Sequence, residues 1–208
     1  MALVSVSGAA SRAGKTSLAV GLLHALPAAS AVAVKFTTTE DVFERCPRGT
    51  PCVVCDIDVP FRIVEDARVL DEPGTDTARL RAAGARRVIW AISRASAVRA
   101  AWARVAAMAE GLVVMEGSTI VDTARPDLLL FVVHPFLSPD RWKETSAALI
   151  GRADAVIVNR PATEGRDPAP AVLEAIRACG ETAPFVADVT RPLAEWAGDL
   201  WSRVRTAS

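Results

Sequence analysis

The sequence predicts an α/β fold, a mostly parallel sheet with helices on both faces, from three observations. Short apolar runs such as Val88-Ile89-Trp90-Ala91-Ile92 and Leu128–Val133 read as strands buried on both sides. They alternate with amphipathic stretches such as 95–109, where Val98, Trp102, Val105 and Met108 share one helical face. The chain opens with a strand pattern, a glycine-bounded loop ending Gly14-Lys15-Thr16 and a helical pattern, which is the context of a phosphate-binding P-loop.

Leu3-Val4-Ser5-Val6-Ser7 alternates apolar and small polar residues, as a short strand does. The loop Gly8-Ala9-Ala10-Ser11-Arg12-Ala13-Gly14-Lys15-Thr16 follows, and 17–26 then sets Leu18, Leu22 and Leu26 on one helical face. Backbone N–H groups at such a helix start, with the helix dipole behind them, converge on an anion. Gly8, Ala13, Gly14, Lys15, Thr16 and Ser17 are the candidate phosphate ligands, Lys15 for the outer phosphates and the Thr16 hydroxyl for Mg²⁺. The loop departs from the usual spacing: Gly-x-x-x-x-Gly-Lys calls for glycine at position 9, where Ala9 stands. Position 10 is Ala10, so the extra lysine of partitioning-type ATPase loops is absent.

A second strand is expected at 31–36. From 37 to 76 the periodicity breaks down, with prolines at 47, 51, 60 and 73, and Cys52-Val53-Val54-Cys55 reads as a short strand within it. Regularity returns with a short helix at 77–83, the strand 88–92, the helix 95–109, and strands at 112–115 and 128–133. A helix begun by Ser138-Pro139, a strand at 155–158, a helix at 171–178 stopped by Gly180 and a short strand at 184–187 follow. The last element is an amphipathic helix, 193–204, through Leu193, Trp196, Leu200 and Val204. Together these make one P-loop NTPase domain, 1–208, carrying a cysteine-bearing insertion at 37–76. Ligands of such sheets bind at the carboxyl ends of the strands.

With 208 residues, 51% of them hydrophobic, the chain has ample material for a core. Basic and acidic residues balance at 24 each, so no net field favours nucleic acid and no polybasic tail suggests a membrane surface. The run 128–133 is too short to span a bilayer, and the P-loop starts too close to Met1 for a signal peptide. A cytoplasmic protein is expected, in which four cysteines are thiols or metal ligands rather than disulfides.

Four further positions carry chemistry. Leu112-Val113-Val114-Met115-Glu116-Gly117 ends a strand in a carboxylate, the group needed to hold Mg²⁺ beside Thr16; Asp56 and Asp58 are rivals for that task. Asn159 ends a later strand and has both a donor and an acceptor for a purine edge, or else simply forms a turn. Lys35, one of only three lysines, is placed for a phosphate or a substrate carboxylate, or snorkels at the surface. Cys46, Cys52 and Cys55 cluster in the irregular segment at metal-ligand spacing. Zinc, an iron–sulfur cluster and a Cys52–Cys55 redox pair all suit them, with Cys179, His24, a nearby Asp or a second subunit's cysteine as fourth ligand; ordinary thiols are the alternative. Arg79, Arg81, Arg86 and Arg87 read as a solvated basic face, with an acidic partner or a phosphorylated ligand as the alternative.

These residues carry a resemblance. The loop and first helix resemble those of the group containing dethiobiotin synthetase, the cobyrinate amidases and the MobB-type proteins of molybdenum guanine dinucleotide synthesis. The strand ending in Lys35, the stretch Glu72-Pro73-Gly74-Thr75-Asp76 through Ala83-Gly84-Ala85, and Val113-Val114-Met115-Glu116-Gly117 are similar to MobB-type segments over about the first 120 residues. The resemblance implies a GTP-binding, usually dimeric protein that assists installation of a metal cofactor, with Gly14 to Ser17 on phosphates and Glu116 helping to bind Mg²⁺. This chain departs from the MobB-type pattern in its three-cysteine segment and at Thr75, where that family has lysine. The elements after Gly117, with Asn159, look more like dethiobiotin synthetase, in which such an Asn contacts the base.

The expectation is therefore a Mg²⁺-dependent NTPase for GTP or ATP, acting in metal-cofactor assembly with a cofactor-biosynthesis or metalloenzyme partner, and forming a homodimer. Asp41 is the candidate to orient the attacking water. An ATP-dependent synthetase that activates a small carboxylate, and a non-hydrolysing nucleotide-sensing adaptor, are the competing readings.

Overall fold

A computed structural model describes residues 1–38, 59–198 and 202 of the chain. Its eight strands are β1 (Ala2–Gly8), β2 (Ala31–Thr38), β3 (Phe61–Val64), β4 (Arg87–Ser93), β5 (Leu112–Glu116), β6 (Leu128–Val133), β7 (Ala155–Asn159) and β8 (Phe185–Ala187). The helices are α1 (Lys15–Ala25), α2 (Ala67–Leu70), α3 (Asp76–Ala82), α4 (Val98–Met108), α5 (Val121–Ala124), α6 (Ser146–Ile150) and α7 (Pro170–Ala178). The sheet order is β3-β4-β2-β5-β1-β6-β7-β8, parallel throughout except for the antiparallel edge strand β3.

Both faces of the sheet are dry, as continuous apolar runs require. Val4, Val6, Val114, Leu130 and Ile157 face α1, whose Leu18 and Leu22 are fully buried. The opposite side divides in two. Leu3, Val34, Val113 and Met115 pack on Trp102 and Val105 of α4, while Leu129, Phe131, Val133 and Val156 pack on Val172 and Ile176 of α7. Ser5 and Ser7 of β1 are completely buried, and the Ser7 hydroxyl donates to Gly117 O at 2.8 Å. Their small size suits the centre of the sheet.

Several boundaries differ from those expected. The irregular stretch 37–76 contains β3 and α2 from residue 61 onward; β3 pairs with β4, so this part joins the main sheet. The helix expected from Ser138 is only a 3-10 turn at Pro139–Arg141. The chain turns extended at Trp142, which lets the Lys143 N–H donate to Ala9 O at 2.8 Å, and α6 begins afterwards. Of the helix expected over 193–204, Leu193–Glu195 is a 3-10 turn, and 199–201 and 203–204 lie outside the described residues. Cys46, Cys52, Cys55, Asp41, Asp56 and Asp58 also lie outside them. Among the described residues, no helix is long and apolar enough to cross a membrane.

The central strand β1 lies between β5 and β6, and β2 lies beyond β5. The strand order therefore reverses at β1, opening a crevice at its carboxyl end, where the Gly8–Thr16 loop sits.

Candidate phosphate-binding site

The loop is built from backbone exceptions that the sequence accommodates. Gly14 precedes α1 with φ 111°, a left-handed conformation that disfavours any side chain, and a Cβ there would run into the Asn159 amide. Gly8 closes β1 so near β6 that a Cβ would meet Val132 O at 2.8 Å. This accounts for the shifted glycine: the close approach falls at position 8, and Ala9 needs no such freedom. The Ala9 N–H donates to Val132 O at 3.0 Å, and Ala9 O accepts from Lys143.

Parallel register delivers the acidic groups. Lys35 of β2 lies opposite Glu116 of β5, so their side chains meet at one level. Lys35 Nζ stands 2.7 Å from both Glu116 Oε1 and Asp76 Oδ2, Asp76 coming from the first turn of α3. The other Glu116 oxygen, Oε2, accepts the Thr16 hydroxyl at 2.8 Å. Lys15 Nζ donates to Ala10 O at 2.9 Å, and Arg79 of α3 donates to the Ser17 hydroxyl at 2.9 Å. Asn159 binds the loop from β7: its amide donates to Ala13 O at 3.1 Å and its carbonyl accepts from Val189 N at 3.3 Å. One donor and one acceptor position of that amide are left for another ligand.

Lys15, Thr16, Ser17, Lys35, Asp76, Arg79 and Glu116 line a cavity of about 860 Å³ that also reaches Arg12, Phe36, Ser118 and Lys143. Five cations (Arg12, Lys15, Lys35, Arg79 and Lys143) face it against two carboxylates, Asp76 and Glu116, so it suits a polyanion. Burial, and then the neighbouring Lys143, lower the Lys15 ammonium from 10.5 to about 8. Lys35 goes the other way: burial opposes its charge, but Glu116 and Asp76 outweigh it and raise the pKa. Asp76 is likewise penalised by burial and still held below the usual carboxylate range by Lys35. Glu116 carries the Thr16 hydroxyl on one oxygen and shares the Lys35 ammonium with Asp76 on the other, so hydroxyl and carboxylate oxygens gather at this end of the cavity. Such a set fits Mg²⁺, which prefers oxygen ligands.

Lys15, Thr16, Ser17, Lys35 and Glu116 line this cavity, and Asn159 bonds to the loop at Ala13 O. Asp76, Lys143 and Ser118 are additional. The scarcity of lysine was a usable signal for Lys143, since all three lysines of the chain line this one cavity. The basic group on and after α3 does not act together: Arg79 turns into the site, while Arg81 pairs with Asp71, and Arg87, at the start of β4, pairs with Glu65. Among the described residues, no group of three or more His, Cys, Asp or Glu is arranged to hold a metal; Cys179 is a free thiol there.

The buried charge of Lys15 is costly before any ligand arrives. Below pH 8 the lysine is protonated in folded and unfolded chains alike, and the folded state carries the full penalty; toward pH 10.5 the penalty fades. Lys15→Met is therefore expected to stabilise the ligand-free chain at pH 7, by about 2–3 kcal/mol from the size of the shift. Thermal melts should show a rise of roughly 4–12 °C at pH 7 that shrinks by pH 10. An unchanged or lower midpoint at pH 7 would count against it.

No protein-family model matches the chain, and no curated protein matches it by sequence. Among solved structures it is similar to HypB from Helicobacter pylori in complex with nickel, with TM-score 0.51 and 14% identity, covering 99% of this chain and 87% of that one. A ParA family ATPase from Chlorobium tepidum TLS aligns with TM-score 0.41 and 12% identity over 99% and 97% of the two chains. The HypB likeness, together with the sheet order and loop, shows a P-loop NTPase fold.

Proposed function

We propose that the chain binds a nucleoside triphosphate, GTP or ATP, in this cavity and hydrolyses it in the course of assembling a metal cofactor. The observation that carries the reading is the joined pair at the cavity floor: the first-turn hydroxyl of α1, Thr16, hydrogen-bonded to the buried Glu116 at the end of β5. A neutral turn before a helix has no use for a carboxylate there.

The N–H groups around Gly14 to Ser17 and the Lys15 ammonium bind the phosphates. Thr16 and Glu116, with Asp76 beside them, would hold Mg²⁺, which when bound neutralises charge on the outer phosphate oxygens. Lys15, swung from Ala10 O to the phosphates, holds the charge that builds up as the terminal P–O bond breaks and water adds to phosphorus. Asp41 stays the candidate for orienting that water, and Asn159 has hydrogen-bonding capacity left for the base.

The cofactor-assembly part is supported by Cys46, Cys52 and Cys55 and by the MobB-type segments. The nickel complex of the structurally similar HypB is consistent with it. Zinc or an iron–sulfur cluster on those cysteines is part of the proposal, as are a homodimer and a metalloenzyme partner. A second reading, a synthetase activating a small carboxylate, is favoured by Lys35 lining the same cavity at its Phe36–Thr38 side.

One anaerobic preparation tests both halves. Titration with fluorescent GTP and ATP, with and without Mg²⁺, is expected to give saturable Mg²⁺-strengthened binding. Metal and sulfide content is expected to be stoichiometric in wild type and lost in Cys52→Ala/Cys55→Ala. No nucleotide binding would sink the NTPase reading; nucleotide binding without metal in either protein would sink the cofactor half and raise the synthetase.

A further inference from the structure

Three lysines serve a chain whose other basic residues are all arginine, and all three line one cavity. Two have partners that explain them: Lys35 has Asp76 and Glu116, and Lys15 has its loop carbonyl. Lys143 does not. Among the described residues its Nζ makes one long hydrogen bond, 3.4 Å to the neutral hydroxyl of Ser118. Desolvation, and then the charge of Lys35, push its pKa down, only partly opposed by Glu116. Lys143 stands exposed at the wall of the cavity, and an ammonium there with no carboxylate bonded to it among the described residues is free to meet an incoming anion.

Its backbone is fixed to the site. The Lys143 N–H donates to Ala9 O of the P-loop at 2.8 Å, and Lys143 O accepts from Ser146 N at 2.8 Å, the start of α6. The preceding Trp142 is anchored by its indole N–H on Leu137 O at 3.1 Å. The segment between β6 and α6 thus gives up helical regularity and hands a lysine to the phosphate loop. Ser118, on which that lysine rests, lies two residues past Glu116 and hydrogen-bonds to Gly8. Lys143 therefore reaches the cavity at the Glu116 end, where the terminal phosphoryl group of a triphosphate lies if Thr16 and Glu116 hold its metal.

We propose that Lys143 is a ligand of the terminal phosphoryl group, a second phosphate-binding lysine supplied from the segment between β6 and α6 of the same chain. This rests on the reading that the cavity binds a nucleoside triphosphate. A lysine suits the task because its compact ammonium acts as a point charge on phosphate.

The test compares wild type, Lys143→Met and Lys143→Arg by calorimetric titration with a non-hydrolysable triphosphate analogue and with the matching diphosphate, both with Mg²⁺. Lys143→Met keeps the aliphatic stem and the backbone N–H that reaches Ala9, so the loop stays anchored. Triphosphate affinity is expected to fall about 10- to 100-fold in Lys143→Met, the cost of losing one charged hydrogen bond. Diphosphate affinity should change less than about threefold, because its ligands are elsewhere in the loop. Lys143→Arg should restore part of the triphosphate affinity. Equal losses for both nucleotides, or none for either, would overturn the assignment while leaving the nucleotide site standing. A wild type that binds neither nucleotide would overturn it together with the reading beneath it.

Discussion

Glu116→Gln is expected to lower triphosphate hydrolysis by roughly 100- to 1000-fold, the scale of losing one group that organises transition-state charge. Glu116 is only 2% exposed, and both of its oxygens are engaged. An amide of the same shape keeps both partners only by reversing the Thr16 bond, so that the hydroxyl accepts from its NH₂ instead of donating to a carboxylate. If its oxygen stays on Lys35, its NH₂ faces Thr16; if its oxygen stays on Thr16, the NH₂ points at an ammonium. Either way the negative charge that draws a divalent cation to Thr16 is gone, so Mg²⁺ should no longer strengthen nucleotide binding. Mg²⁺-free affinity should be little changed, since Lys15 and the loop amides are untouched. Glu116→Asp keeps the charge on a shorter arm and should fall between the two. Turnover within threefold of wild type in Glu116→Gln would remove Glu116 from the mechanism. A loss of Mg²⁺-free binding as well would mean that the substitution had disturbed the loop itself.

The parts of this site legible in the sequence are those where chemistry and local geometry coincide. Gly14-Lys15-Thr16 announces a left-handed glycine and a helix start, and Glu116 announces itself by ending an apolar strand. The meeting of Lys35 with Glu116 was not legible, because it depends on β5 inserting between β1 and β2 and on the register that sets the two residues side by side. Asp76 reaches Lys35 only because α3 begins beside that strand end. Lys143 was hidden for a different reason. Ser138-Pro139 is a good local helix start, but a tertiary bond from Lys143 N to Ala9 O overrides it and turns the segment toward the loop. Local pattern specifies elements well; it does not specify which strand comes between two others.

The other large effect is expected at Gly14. Gly14→Ala forces a side chain into a left-handed backbone at φ 111°, a strain of about 1–2 kcal/mol by itself. It also drives that Cβ into the Asn159 amide, with Val189 Cγ2 at 3.3 Å behind. Asn159 cannot yield freely, because it bridges Ala13 O and Val189 N and so ties the loop to the segment after β8. A total cost of about 3 kcal/mol, read as a fall of roughly 6–12 °C in melting midpoint, is expected. Nucleotide affinity should fall by at least about 100-fold as the loop N–H groups lose their convergence. Asn159→Ala should cost about 1–3 kcal/mol through its two backbone hydrogen bonds. The double variant separates strain from collision. With the amide gone the collision disappears, so Gly14→Ala/Asn159→Ala should be less destabilised than the sum of the single variants, by about 1 kcal/mol or more. Its nucleotide affinity should nevertheless stay low, because the left-handed strain at residue 14 remains and still displaces the N–H groups that face the phosphates. Additive stabilities in urea melts would show that Asn159 does not press on Gly14. Recovered affinity in the double variant would show that collision alone had displaced the loop.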